Sequence, residues 1–232
     1  MTRLDDFDLI AFDADDTLWQ SEDSFNRAEL AFFELVRPHC PVGVDVEEAL
    51  RAVERADLPV SGYGVKAFTI SMVRAAMSAS NRSVPVEVLE QLVEIGQHML
   101  TEPVRVLNHV PQVLAAVGAE KRIVMITKGD LVHQTRKVTT SGLEHHFSDI
   151  EILLEKDPVT YAKIFRRLGV ETDRVLMVGN SVKSDILPVL ALGGHAVHIP
   201  YHTTWELERV DEHDEEFAEL ASISELPGWL GI

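Results

Sequence analysis

Apolar residues recur along this chain in two rhythms. Residues 9–12 form a short apolar run that stops abruptly at Asp13, Asp15 and Asp16, the pattern of a buried strand delivering acids to its C-terminal end. Over residues 21–100 the spacing is helical. Phe25, Ala28, Phe32 and Val36 fall on one face; Val46, Leu50 and Val53 on a second; Phe68, Met72 and Ala75 on a third. Val86, Leu89, Val93 and Leu100 make a fourth stripe, behind a Pro85 well placed for a first turn. Turn-rich stretches at 38–43 and 59–64 separate these stripes. Four helices without an intervening strand predict an inserted helical bundle.

After about Pro103 helix and strand alternate. Residues 111–117 predict a helix stopped by Gly118, and 122–126 a strand ending at Thr127. A helix to Gly142 and a strand at 150–154, ending near Lys156, come next. Tyr161, Ile164, Phe165 and Leu168 make a helix closed by Gly169. Residues 174–178 predict a strand ending at Gly179, followed by a helix to Leu192 and a strand at 196–199. Such alternation argues for a parallel sheet covered on both faces. Residues 206–216 are strongly acidic and read as a solvated face. Residues 223–230 close the sheet or lie beside it.

In an open parallel sheet, ligands bind beyond the carboxyl ends of the strands. The polar residues expected there are Asp13, Asp15, Thr17, Thr127, Lys128, Lys156, Asn180, Ser181 and Asp185. Carboxylates, hydroxyls and cations thus come from four separated segments.

These residues resemble the motifs of the haloacid dehalogenase-like (HAD) superfamily. The first motif stands as I-A-F-D-A-D-D-T-L-W, the second as I-V-M-I-T ending at Thr127, and the third as Lys156 in E-K-D-P-V-T-Y. The fourth reads V-G-N-S-V-K-S-D, with Asn180 where an acid is expected and Asp185 as the second acid. The resemblance covers nearly the whole chain. It implies an α/β, Rossmann-like parallel sheet with helices on both faces, formed by residues 1–20 and 101–232. Residues 21–100 then form an inserted helical (C1-type) cap domain. Such caps close over a site and choose the substrate. Tyr63 and Lys66, in the glycine-containing stretch 61–68, are candidate substrate contacts; a plain helix–helix turn is the alternative.

By the same resemblance the chain is a Mg²⁺-dependent phosphohydrolase of a small phosphorylated metabolite. Asp13 is the nucleophile that forms an aspartyl phosphate, and Asp15 is the general acid/base. Thr127 and Lys156 bind the phosphoryl group, with Lys128 as an alternative ligand. Mg²⁺ binds Asp13 and the Asp15 carbonyl, with Asn180 and Asp185 completing its shell. Asp15 separates a phosphatase from a dehalogenase, which needs no proton for a leaving oxygen; a phosphomutase shares both acids. Asn180 supports a further alternative, a phosphate-binding regulatory protein with weakened or lost catalysis. A phosphoacceptor receiver domain fits less well, given the D-x-D-x-T spacing and the long helical insertion.

Composition narrows the partners. The formal net charge is −17, so nucleic acid and acidic membranes are repelled on average, while a small anion needs only a local positive site. Hydrophobic residues make up 46% and charged residues 25%, an ordinary globular mix. The one cysteine, Cys40, excludes an intrachain disulfide and fits a reducing compartment. No apolar run reaches signal-peptide or transmembrane length, and the chain is expected to be cytoplasmic. The histidines show no metal-ligand spacing.

Overall fold

The computed structural model describes residues 4–210 and 213–232. The chain divides into two compact units, one of Met1–Glu22, Val104–Lys128 and Gln134–Ile232, the other of Asp23–Pro103 and Gly129–His133.

The first unit is built on a six-stranded parallel sheet in the order β3-β2-β1-β4-β5-β6. The strands are β1 Leu9–Phe12, β2 Arg122–Lys128, β3 Asp149–Leu153, β4 Val175–Gly179, β5 His195–His198 and β6 Ala218–Glu219. β1 lies between β2 and β4, with Phe12 in register with Met125 on one side and Val178 on the other. The strand order changes direction there, and the crevice at such a switch point is where open sheets bind ligands.

The central strands carry apolar residues on both faces because both faces are covered. Ile10, Phe12, Ile123, Met125, Leu176 and Val178 join one core with Val110, Val113, Leu114 and Val117 and with Leu226 and Leu230. Those partners lie on α5 (Val110–Glu120) and α9 (Leu226–Leu230), numbered along the chain after the four helices of the other unit. The alternate residues Leu9, Ala11, Val124, Ile126, Val175 and Met177 join a second core with Tyr161, Ile164 and Phe165 of α7 (Pro158–Leu168). Asp157 caps α7 by accepting from the Thr160 N–H at 2.7 Å, and Gly169 ends it in the left-handed conformation.

The second unit contains α1 Glu22–Val36 (its first residue counted with the sheet), α2 Val46–Ser61, α3 Val65–Ala79 and α4 Val86–Thr101. Phe32, Leu50, Met72 and Leu92, one from each helix, are all at least 99% buried in a single core. Asp45 caps α2 through the Glu47 and Glu48 N–H groups. Inside this unit Lys66 donates to Asp130 at 3.0 Å, an ion pair rather than an open cation.

Three local expectations change. α5 runs through Gly118 to Glu120, and the glycine there serves close packing, since a Cβ would lie 3.3 Å from Ile123 Cδ1. The helix expected up to Leu192 is a π-helical turn, Val182–Ile186, followed by the short α8, Leu187–Leu190. The acidic stretch is irregular apart from a 3₁₀ turn at Glu206–Glu208, and one of its acids is largely buried. Residues 211 and 212 of that stretch lie outside the described residues. Helix α6, Leu131–Ser141, follows β2 as expected.

Candidate active site

β1 ends at Phe12, and the Asp13 N–H still bonds the Val178 carbonyl at 2.9 Å. That bond fixes Asp13 just beyond the sheet, where it is 95% buried. Its Oδ1 accepts from Lys156 Nζ at 2.5 Å and its Oδ2 from Thr17 Oγ1 at 2.9 Å. Lys156 also donates to Asp185 Oδ1 at 2.6 Å, and Asp185 Oδ2 accepts from the Ser181 N–H at 3.0 Å. Two buried carboxylates therefore share one ammonium. Burial and the neighbouring Asp185 push Asp13 up to about 7, against the pull of Lys156. Burial works against the charge on Lys156, yet Asp13 and Asp185 outweigh it and raise the group well above its ordinary value. We read the cluster as an ammonium that stays charged beside one carboxylate charge too many.

The backbone turns after Asp13, and Asp16 adopts φ 64°. Its carboxylate accepts from the Ser21 and Glu22 N–H groups, so this third acid shapes the entry to α1. Burial, then the charge of Asp15, raises Asp16 to about 7.

Asp15 points at different partners from Asp13. Its Oδ1 accepts from Trp19 Nε1 at 2.6 Å and Lys137 Nζ at 2.5 Å, and its Oδ2 from Gln134 Nε2 at 3.1 Å. Burial opposes ionisation, but Lys137, with Trp19 and Gln134, holds the carboxyl below its ordinary value. Gln134 also donates to Thr127 Oγ1 at 2.7 Å and to the Lys128 carbonyl at 3.0 Å, tying α6 to the end of β2.

The Asn180 carboxamide faces the Asp15 carbonyl oxygen at 3.1 Å and Asp13 Oδ2 at 3.2 Å. With its NH₂ toward them it donates to both. With its oxygen toward them three oxygens converge; the Thr17 hydroxyl, 2.9 Å from Asp13 Oδ2 and 3.3 Å from Asn180 Oδ1, has one proton to give, and a cation would balance the rest. Oxygens on adjacent vertices of a Mg²⁺ octahedron lie about 3 Å apart, given metal–oxygen distances of about 2.1 Å. The donor set and the surplus carboxylate charge therefore fit a small hard cation. Among the described residues no three His, Cys, Asp or Glu side chains gather as a metal site, which leaves this mixed trio of carboxylate, carbonyl and carboxamide. Asp185 is not part of the trio; both its oxygens rest on nitrogen donors.

Asp13, Thr17, Lys156, Asn180 and Asp185 thus form one hydrogen-bonded cluster, and Asp15 and Thr127 are joined through Gln134. Lys128 turns elsewhere, to Ser184 and Glu208. Sequence reading missed Gln134, Lys137, Trp19 and Glu208 as site residues. Gln134 and Lys137 share the buried face of α6 with Val138, but their i, i+3 spacing alone does not set them apart from a solvated polar face. His198 is also near, with Nδ1 2.9 Å from the Glu219 carboxylate and Nε2 3.0 Å from the Asn180 carbonyl, both of them acceptors.

A family model described as haloacid dehalogenase-like hydrolase matches residues 7–193. The chain belongs to that family. A haloacid dehalogenase-like hydrolase from Xanthomonas campestris is 37% identical in sequence, with a TM-score of 0.87 over 97% of this chain and 91% of that one. L-2-haloacid dehalogenase from Xanthobacter autotrophicus shares the fold at 16% identity, with a TM-score of 0.63 over 97% of this chain and 98% of that one. A glyceraldehyde 3-phosphate phosphatase from Methanothermobacter thermautotrophicus is 27% identical over 111 residues, 45% of this chain and 49% of that protein. The chain thus spans about half the length of that curated relative. Among the described residues no helix is long and apolar enough to cross a membrane.

Proposed function

We propose that this HAD-family hydrolase is a Mg²⁺-dependent phosphatase of a small phosphorylated metabolite. The observation that carries this is the pairing of Asp13, bound to Lys156, with a second acid, Asp15, in its own cage of donors. A dehalogenase has no use for that second acid. Asp13 attacks phosphorus, the ester P–O bond breaks, and the leaving oxygen takes a proton from Asp15. Asp15 then takes a proton from the water that attacks the phosphorus, releasing phosphate and restoring Asp13. Lys156 offsets charge, and Thr127, oriented by Gln134, bonds a phosphoryl oxygen. Asp13 Oδ2, the Asp15 carbonyl and the Asn180 oxygen would hold Mg²⁺, which supplies charge neutralisation on the phosphoryl oxygens when bound.

The two half-reactions ask opposite things of Asp15. Lys137 and Trp19 favour the carboxylate, the form that activates water. A phosphoryl dianion arriving beside it favours the proton needed in the first step. The helical unit is read as the cap that selects the substrate. The net charge of −17 and the lone cysteine suit a cytoplasmic enzyme that acts on small anions and not on nucleic acid.

The test is turnover of an aryl phosphate and a panel of phosphorylated metabolites with Mg²⁺. Asp13→Asn is expected to lose at least about a thousandfold in kcat, as for removal of a nucleophile. A chain that hydrolyses nothing, yet binds phosphate, is the regulatory protein that Asn180 permits. Dechlorination of 2-chloropropionate in place of phosphatase activity would overturn the reading altogether.

A further inference from the structure

Lys128, Ser181 and Ser184 converge on the carboxylate of Glu208. Lys128 Nζ lies 2.7 Å from Glu208 Oε1, while Ser181 Oγ and Ser184 Oγ donate to Oε2 at 2.7 and 2.5 Å. Lys128 also donates to Ser184 Oγ at 3.0 Å. The side chains of Lys128 and Glu208 are only 12% and 13% exposed, and Ser184 is 96% buried. One ammonium and two hydroxyls around one carboxylate make a built anion cradle.

Its placement is informative. Each member is the chain neighbour of a residue in the reaction site: Lys128 follows Thr127, Ser181 follows Asn180, and Ser184 precedes Asp185. Consecutive Cα atoms lie about 3.8 Å apart, so the cradle's backbone adjoins that of the reaction site, and the Ser181 N–H itself donates to Asp185 Oδ2 at 3.0 Å. Its occupant, by contrast, comes from far along the chain. Glu208 sits on a 3₁₀ turn in the irregular connection between β5 and β6, held further by Lys183 Nζ on the Leu207 carbonyl at 2.6 Å.

We propose that Lys128, Ser181 and Ser184 form a subsite for a second anionic group of the substrate, and that Glu208 fills it when substrate is absent. The matching group is a carboxylate, since the resident occupant is itself a carboxylate and Lys128, which also faces the half-exposed Glu155 at 3.6 Å, has charge for no more than one further anion. The substrate class is then a phosphomonoester of a small hydroxy acid. This inference rests on the phosphatase reading of the site.

Two non-hydrolysable probes test it by calorimetry with Mg²⁺ present. Phosphonoacetate carries a carboxylate where ethylphosphonate carries a methyl group. Glu208→Ala vacates the cradle and is expected to tighten phosphonoacetate about tenfold, the size of one charged hydrogen bond no longer competed for. Ethylphosphonate should change less than about twofold. Adding Lys128→Met to Glu208→Ala should erase the gain. Should Glu208→Ala not fold, Glu208→Gln removes the competing charge and is read the same way. If Glu208 is only a structural tie, its variants lower thermal stability and shift both probes alike or not at all, and the subsite is overturned. Failure of both probes to bind any variant at millimolar concentration overturns the phosphatase reading, and the subsite with it.

Discussion

Gly179 shows how closely the site is assembled around individual atoms. A Cβ there would lie 2.3 Å from Asp185 Oδ2 and 2.5 Å from its Cγ. Asp185 cannot simply turn aside, because Lys156 and the Ser181 N–H hold its two oxygens. Gly179→Ala is expected to cost about 1–3 kcal/mol of stability, the range for forced overpacking. It should also lower phosphatase kcat/KM by at least about tenfold by displacing Lys156 from Asp13. Denaturant unfolding and steady-state kinetics check both, and unchanged values would refute the coupling. The residues legible in the sequence share a property with Asp185. Asp13 and Thr127 are polar groups at the ends of apolar strands, Lys156 follows the end of β3 by three residues, and all three are buried. Lys137 and Gln134 lie on a helix among other polar residues and look like an ordinary solvated face. Glu208 was hidden in an acidic run for the same reason. Only the tertiary fold shows which acid of that run is buried.

Helices read well from their stripes because a 3.6-residue period is a redundant signal, and all four helices of the second unit emerge from it. What periodicity does not carry is how closely two helices approach. Gly96 of α4 lies where a Cβ would fall 2.0 Å from Thr69 Oγ1 and 2.8 Å from Thr69 Cγ2 of α3. Thr69 is anchored by its hydroxyl, which donates to the Val65 carbonyl at 2.7 Å. Gly96→Ala gains helix propensity of up to about 1 kcal/mol, but the clash should outweigh it. A net loss of about 1–3 kcal/mol is expected by denaturant unfolding. Thr69→Ala in the Gly96→Ala background should recover part of that loss, giving a favourable coupling in a double-mutant cycle. Strictly additive effects would mean that the two helices do not touch there. The π-helical turn after β4 was equally unreadable. Its residues, Val182–Ile186, suit an ordinary helix, and the extra residue per turn follows from seating Ser184 and Asp185 on partners remote in sequence. β6, two residues long, carries too little pattern to announce itself.

Across the whole chain, a net charge of −17 makes any cation favourable, so a specific Mg²⁺ site must be separated from general screening. Asp13 provides the means. Its folded-state value is raised to about 7 from 3.8, so the folded metal-free protein prefers it protonated. The corresponding stability is complete below pH 3.8 and is lost as pH rises through about 7. Mg²⁺ binds only the ionised carboxylate and competes with that proton. At constant ionic strength, replacing NaCl by MgCl₂ should therefore raise thermal stability little at about pH 5.5 and fully above about pH 7.5. At saturation a hundredfold above Kd the gain is about 2.7 kcal/mol. Asp13→Asn should abolish the difference between the two salts at every pH. Asn180→Asp sharpens the argument, because it removes an NH₂ that can bond both Asp13 Oδ2 and the Asp15 carbonyl and puts a negative charge in its place. In EDTA it should melt below the parent protein, and its Mg²⁺-dependent gain should exceed the parent's. Identical gains with NaCl and MgCl₂ at neutral pH would show that the cation only screens, and that the oxygen trio is closed by the Asn180 amide and not by metal.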